Sequence, residues 1–469
     1  MGAHQAAIER RQQVLMDSTE KKLVNFASSI TYDDLSDSAI DATKVRMIDS
    51  FGCALGAINA PTVAAARKIA SPVSEGRRAR VFGTLETVSL EHAALINSAM
   101  VRYLDMSDAY LMASTAHPSD NIPAILAIAE AIGATGRDVL LATIISYEAQ
   151  CRMCEVAAFN NNGWDQPVCS APAIALASAK MLDLSPALMR NAVAIATVAN
   201  VALNQTRRGN LSMWKGMAGP DAAREGVYAA LLAEAGMTGP ENVFEGIDGL
   251  YPQTMGADSY DVQIPTSFKG HTFALQQTNV KVYPIRDAIQ VPVMTALDLG
   301  KKIAAKDIEK LVIHTYRHGY LKWIDQAPFW DPQTRETADH SMPFCLAAAL
   351  IDGDLDKESF ENERFLKDDV RALMARMSVE FDDEYDKVAP ATRPCRLEAI
   401  TKSGKIIIAE HVQTPTDILR GPDVAAVEAK FRKLSSACIG EKRQALILEK
   451  LWSFDTINDI GELIDLTRL

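Results

Sequence analysis

A mainly α protein, a large all-helical domain interrupted by a smaller inserted α+β unit, is what three features of the sequence predict. Apolar residues recur at helical spacing from about residue 20 to 270. Alternating, β-branched runs take over from about 270 to 410, and helical spacing then returns. The chain of 469 residues is also too long for one ordinary domain. Hydrophobic residues make up 48% of it and aromatics only 6%, so the core must be aliphatic.

The first helices read as residues 38–57, 89–105, 136–159, 171–184 and 185–203. Their starts look capped: Ser89 before "LEHAALI", Asp120 before "NIPAILAIAEAIG", and Ser185 with Pro186 at the first helical position. Small residues dominate them, which permits close packing of neighbours. "GPENVFEGIDGLYPQTMGADSYD" (239–261) is punctuated like a connection. Beyond it, "DIEKLVIHTYRHG" and "MSVEFDDEYD" read as strands, and "CRLEAITKSGKIIIAEHV" as a hairpin turning at Ser403-Gly404. Residues 424–434 and 441–454 are helical again. The expected division is a helical domain over 1–269, an α+β lid over 270–412 and a helical return over 413–469.

Acidic residues outnumber basic ones, 60 to 48, for a net charge of −12, which argues against nucleic-acid binding. A basic pocket for a small anion fits within such a body. Seven scattered cysteines, an odd number, argue for a reducing compartment rather than a disulfide framework. The N-terminus lacks the apolar region of a signal peptide, and no membrane-length apolar run occurs, so a soluble cytoplasmic protein is expected. P-loop, dinucleotide, zincin and serine-hydrolase signatures are missing. "CRMC" (Cys151 to Cys154) lies in a helical pattern without further zinc-spaced ligands and reads as packed thiols. The histidines at 4, 92, 117, 271, 314, 318, 340 and 411 show no ligand spacing, so no metal is expected.

Chemistry concentrates in "RYLDMSDAYLMASTAHPSDN" (102–121). His117 precedes a helix N-terminus, whose free N–H groups and positive dipole suit a carboxylate and keep an imidazole neutral, able to act as a base. Asp105 and Asp108 are placed to orient that ring or to take protons. Taken alone, the segment is explained more simply by caps at Ser119 and Asp120 and a loop histidine. Two further clusters change the balance. Arg207, Arg208 and Lys215 stand ahead of an Ala-rich helix, with Lys215 flanked by Met213, Trp214 and Met217 as a half-buried cation would be. Lys281 and Arg286 stand ahead of another apolar helix.

These segments, with "DSFGCALGA", "LSMWKGMAGPDAAREGVYAALLAEAGMTGP" and "KVYPIRDAIQ", resemble the MmgE/PrpD family in ordered motifs from about residue 23 to the last helices. That family includes 2-methylcitrate dehydratase, cis-aconitate decarboxylase and iminodisuccinate epimerase. The resemblance implies a helical domain with an α+β lid, an active site between them, a homodimer, and no metal or organic cofactor. It assigns catalytic positions to Asp105, His117, Lys215 and Lys281, with Ser107 and Asp108 inside the first motif. Asp165 in "NNGWDQPVC" stands where decarboxylase-like members carry a second histidine, which points to the dehydratase branch. Ala109 replaces a threonine of the decarboxylase branch. Phe344 takes the place of an active-site tyrosine, and the aromatic "LKWIDQAPFWDPQTRE" is expected to reshape the pocket.

The shared chemistry is a carbanion next to a carboxylate: a base takes the proton while cations stabilise the enediolate. Lysines suit the charge and a neutral histidine the proton. Arg207 and Arg286 would help bind a small anionic polycarboxylate. The expected function is a hydro-lyase of the 2-methylcitrate dehydratase kind. Decarboxylation or epimerisation follows as the alternative, and a non-catalytic acid-binding protein as the rival from another class. Exchange of a substrate proton in D₂O separates enzyme from binder.

Overall fold

Asp17 opens the first helix in the computed structural model, which describes residues 16–318, 320 and 324–469. Its carboxylate accepts the Glu20 N–H while Glu20 returns a bond to the Asp17 N–H, a reciprocal cap on α1 (Ser18–Ser29). Then come α2 (Asp37–Gly56), α3 (Pro61–Ile69), the short pair β1 (Ala79–Arg80) and β2 (Thr87–Val88), and α4 (Leu90–Tyr103). The helices α5 (Ile122–Ile132), α6 (Gly136–Val156), α7 (Pro167–Met181), α8 (Pro186–Ala199) and α9 (Ala218–Glu234) complete the first body. Alanines and glycines let α9 pack against α4, α7 and α8 together.

Ser185 and Pro186 begin α8 as the sequence predicts, the Ser185 hydroxyl accepting the Leu188 N–H at 3.4 Å. Two expected caps differ. Ser89 precedes α4, but its hydroxyl bonds His92 rather than a backbone N–H. Asp120 lies inside a 3₁₀ turn, Pro118–Asn121, and the helix starts after it at Ile122.

A larger difference lies between α4 and α5, where a strand was not expected. β3 (Asp108–Leu111) pairs antiparallel with β4 (Thr115–Ala116) on one side and with β5 (Asn279–Val280) on the other. Asp108 faces Val280 in that register, so residues 172 positions apart in sequence become neighbours, and Lys281 arrives beside Asp105.

The expected strands and hairpin form a four-stranded sheet ordered β7-β6-β8-β9. They are β6 (Ile308–Thr315), β7 (Met377–Phe381), β8 (Arg393–Thr401) and β9 (Ile406–Gln413). α10 (Gln290–Gly300) covers β8 and β9 and packs on α11 (Met342–Asp352). The chain ends in α12 (Val424–Ser435), α13 (Glu441–Trp452) and α14 (Ile460–Leu466). Buried apolar residues form two main clusters. One draws on residues 23–280 together with Val427, Phe431, Ile447 and Leu463 from the last helices. The other draws on residues 285–409. Residues 273–280, placed in the α+β unit by the sequence reading, pack with the helices. No helix among the described residues is long and apolar enough to cross a membrane.

Candidate active site

Asp105 ends α4 in the left-handed region, φ +52°, a conformation that costs a non-glycine residue about 1 kcal/mol. The turn sends its carboxylate into the interior, where the side chain is 1% exposed. Arg102, one helical turn earlier, reaches Oδ1 at 2.5 Å. Lys281 Nζ lies 2.6 Å from Oδ1 and 2.9 Å from the Asp105 carbonyl, and Lys215 Nζ lies 3.0 Å from Oδ2. Burial alone would raise the carboxyl pKa. Arg102, Lys215 and Lys281 overcome that and hold it well below the usual range.

Lys215 also binds both oxygens of Asp339 at 3.0 Å, and Asp339 in turn meets His340 Nδ1 at 2.5 Å. The sequence reading left His340 without an acidic partner. In the fold it lies 2.5 Å from Asp339 and 3.6 Å from Asp105. His271, His314 and His411 likewise face carboxylates, all of them distant in sequence and therefore invisible to local spacing. His4 lies outside the described residues. Asp105, Asp339 and His340 hold ligand-type atoms within 4.8 Å of one another. The Lys215 ammonium already sits 3.0 Å from both carboxylates, which gives this cluster its cation.

A cavity of about 610 Å³ opens beside this cluster, within the size range of small-molecule sites. Asp105, His117, Asp165, Arg207 and Arg286 line it, as do Arg102, Asn160, Gln166, Asn204, His318 and His340. Its lining comes from two stretches of the chain, residues 102–207 and 286–340. His117 is buried and donates from Nδ1 to the Asp108 carbonyl at 3.0 Å, which leaves the lone pair on Nε2. Burial, then the Arg102 and Lys281 cations, hold its pKa well below 6.5, so the ring is neutral. The expected neutrality is present, though these causes are different from the helix dipole invoked from sequence. Asp105 acts on this ring through its charge alone, since its oxygens are taken by cations.

Asp165 forms a paired contact with Arg207, Nη2 to Oδ2 at 3.0 Å, and Arg207 also donates to the Lys215 carbonyl at 2.9 Å. Arg286 is half-buried, and its backbone N–H donates to the Asp339 carbonyl at 3.0 Å. Burial pushes its guanidinium down to about 10.

Five of the residues singled out from sequence lie off the cavity lining. Lys215 and Lys281, read as cations facing the substrate, sit behind the wall and grip Asp105; Lys215 is 2% exposed rather than half-buried. Ser107 is fully buried away from the cavity. Asp108 works within the wall: its carboxylate accepts the Ser119 N–H at 3.0 Å and its carbonyl orients His117. Phe344 lies in the second apolar cluster against Phe360 and Phe365, because α11 buries that face. From the aromatic insertion, Asp325 reaches the cavity, while Leu321, Lys322 and Trp323 lie outside the described residues. The residues missed from sequence, Arg102, Asp339 and His340, had some local signal. Arg102 stands three positions before Asp105, and Asp339-His340 directly precedes the Ser341 cap of α11.

Models of the MmgE/PrpD N-terminal domain and the MmgE/PrpD C-terminal domain match residues 21–263 and 283–453. The chain belongs to the MmgE/PrpD family. Among its relatives, the 2-methylcitrate dehydratase of Salmonella typhi is 31% identical over 379 residues, 73% of this chain and 74% of that protein. The 2-methylcitrate dehydratase of Cupriavidus necator is 30% identical over 459 residues, 92% and 93% of the two chains. The cis-aconitate decarboxylase of Aspergillus terreus is 23% identical over 471 residues, 95% of each. The MmgE/PrpD C-terminal match extends through α12 and α13, helices whose apolar faces pack with the N-terminal body.

Proposed function

We propose that this MmgE/PrpD protein is a cofactor-independent hydro-lyase acting on a hydroxylated di- or tricarboxylate of the 2-methylcitrate kind. The observation that carries this reading is His117: a neutral ring of fixed tautomer, its Nε2 lone pair available, in a polar cavity walled by buried arginines. Arg286 and the Asp165-braced Arg207 hold substrate carboxylates. His117 Nε2 takes the proton from the carbon beside one of them. The electrons of that C–H bond form the new C=C as the neighbouring C–O bond breaks, and the departing hydroxide takes the proton from the imidazolium to leave as water. Arg102 in the cavity wall, and Lys215 and Lys281 behind it, offset the transient negative charge and outweigh the Asp105 carboxylate that they grip.

The identities of 30–31% to dehydratases against 23% to the decarboxylase favour dehydration. So does the Asp165–Arg207 pair at the position where decarboxylase-like members carry histidine. In this reading the α+β unit serves as a lid, since Arg286 and His340 reach the cavity from its side. The protein acts in the reducing cytoplasm, in keeping with seven unpaired cysteines. It works as a homodimer, in keeping with the exposed Val198, Leu203, Trp214 and Tyr228.

Incubation with 2-methylcitrate in D₂O, read by mass spectrometry, tests the reading. Loss of 18 mass units (water) that persists in EDTA is expected. Loss of 44 units would make it a decarboxylase, and deuterium uptake without loss an epimerase. Binding with neither exchange nor turnover would leave a non-catalytic protein.

A further inference from the structure

Lys430 lies on α12, far from the cavity in sequence, yet its side chain, 10% exposed, reaches beneath the site. Helix α12 comes close to α2 because Gly52 faces it: a Cβ there would stand 3.0 Å from Phe431 Cα. From this position Lys430 Nζ donates to Asp49 Oδ1 at 2.6 Å, to the Met106 carbonyl at 2.6 Å and to the Lys281 carbonyl at 2.9 Å. An ammonium has three N–H donors, and all three are used. Met106 directly follows Asp105, and Lys281 is the residue whose own ammonium grips Asp105. One lysine from the C-terminal return therefore ties together the two backbone segments that carry the Asp105–Lys281 pair. The Met106 carbonyl lies between α4 and β3, outside helix and sheet, so such a donor is what keeps it satisfied.

We propose that Lys430 is a positioning residue of this active site, setting the separation of Asp105 and Lys281 on which turnover depends. The alternative is a buried ion pair with Asp49 that matters only for stability. Asp49→Asn separates the two, because it removes the partner charge but keeps an oxygen acceptor for Lys430. With 2-methylcitrate as probe, D49N is expected to stay within about twofold of native kcat and KM. The double variant D49N/K430M is expected to lose at least about tenfold in kcat, with KM changed less than about twofold.

A second readout needs no substrate, so it stands even where the proposed hydro-lyase activity fails. The His117 ring faces Arg102, Lys281, the Asp105 carboxylate and the Asp108 carbonyl. If Lys281 drifts, its hold on His117 weakens, and the ring midpoint rises. NMR of ¹³C-histidine-labelled protein, with the His117 signal assigned by its loss in His117→Ala, should show that rise in D49N/K430M and not in D49N. A midpoint that is the same in native protein, D49N and D49N/K430M overturns the proposal, as does D49N matching the double variant. Where D49N/K430M does not fold, Lys430→Arg keeps the charge but cannot aim its planar fork at all three acceptors. A raised His117 midpoint in K430R supports positioning, and a native one overturns it.

Discussion

Asp105 and Asp120 stand near opposite ends of the same eighteen-residue junction (104–121), both buried and sharing Arg102 as a neighbour. Their states are opposite. Asp105 has Arg102, Lys215 and Lys281 within hydrogen-bond reach and stays ionised. Asp120 has Arg102 Nε at 3.7 Å, and neither oxygen accepts a hydrogen bond among the described residues. Burial pushes it up to about 7, against the pull of Arg102. Helix α9 begins against it through Gly219, where a Cβ would lie 2.1 Å from Oδ2. Burial acts alike on both, so the number of cationic N–H donors reaching each carboxylate is what separates their charges. The polar chemistry therefore collects at the Asp105 end, beside His117.

The largest effect should come from His117→Ala. Proton exchange into 2-methylcitrate is expected to fall about 10²- to 10³-fold with the circular dichroism spectrum retained. Exchange at the native rate would mean that the base is another group and that the cation-rich end is structural. Lys281→Met takes one of three cations from Asp105 and should lower kcat by roughly ten- to a hundredfold. Because Lys281 sits behind the wall, KM should change little, and the acid limb of the activity profile should move to higher pH as His117 becomes easier to protonate. A matching rise in KM would show that this ammonium reaches the substrate after all.

Asp120→Asn tests the other end. A carboxyl raised from 3.8 to about 7 on folding keeps its proton while the unfolded chain loses it, so it erodes stability as pH rises between those values. Denaturant midpoints measured across that window should fall less in D120N than in the native protein; identical slopes would show Asp120 to be ionised. Asp105 has the reverse sign: its lowered pKa contributes stability above about 4 that is lost on acidification. Phe344→Tyr should have the smallest effect on turnover, within about twofold. Its hydroxyl enters an apolar cluster and should cost about 1–3 kcal/mol of stability instead. A large change in kcat would place this side chain at the substrate.

Much of this arrangement was legible from the chain. The helices, the β8–β9 hairpin and the segment holding Asp105 and His117 follow from local periodicity and turn residues, which act over a few positions. Asp165, Arg207 and Arg286 were also read as site residues, and they do line the cavity. Three features were not legible: β3, the roles of Lys215 and Lys281, and the placement of Phe344. A three-stranded ladder built from residues 108–111, 115–116 and 279–280 has too few residues in each piece to show alternation. Its partner strand lies beyond six α-helices.

The sequence by itself determined which segments are helical and where the polar residues of the candidate site cluster, because propensity, capping and apolar spacing are local. It also determined the family, because ordered motifs survive where the overall identity is modest. Only the tertiary structure decided what each charge does. Whether a lysine meets a substrate or an aspartate depends on distances of about 3 Å between residues over a hundred positions apart. Coulombic and hydrogen-bond energies fall off over such distances, and no local pattern encodes them.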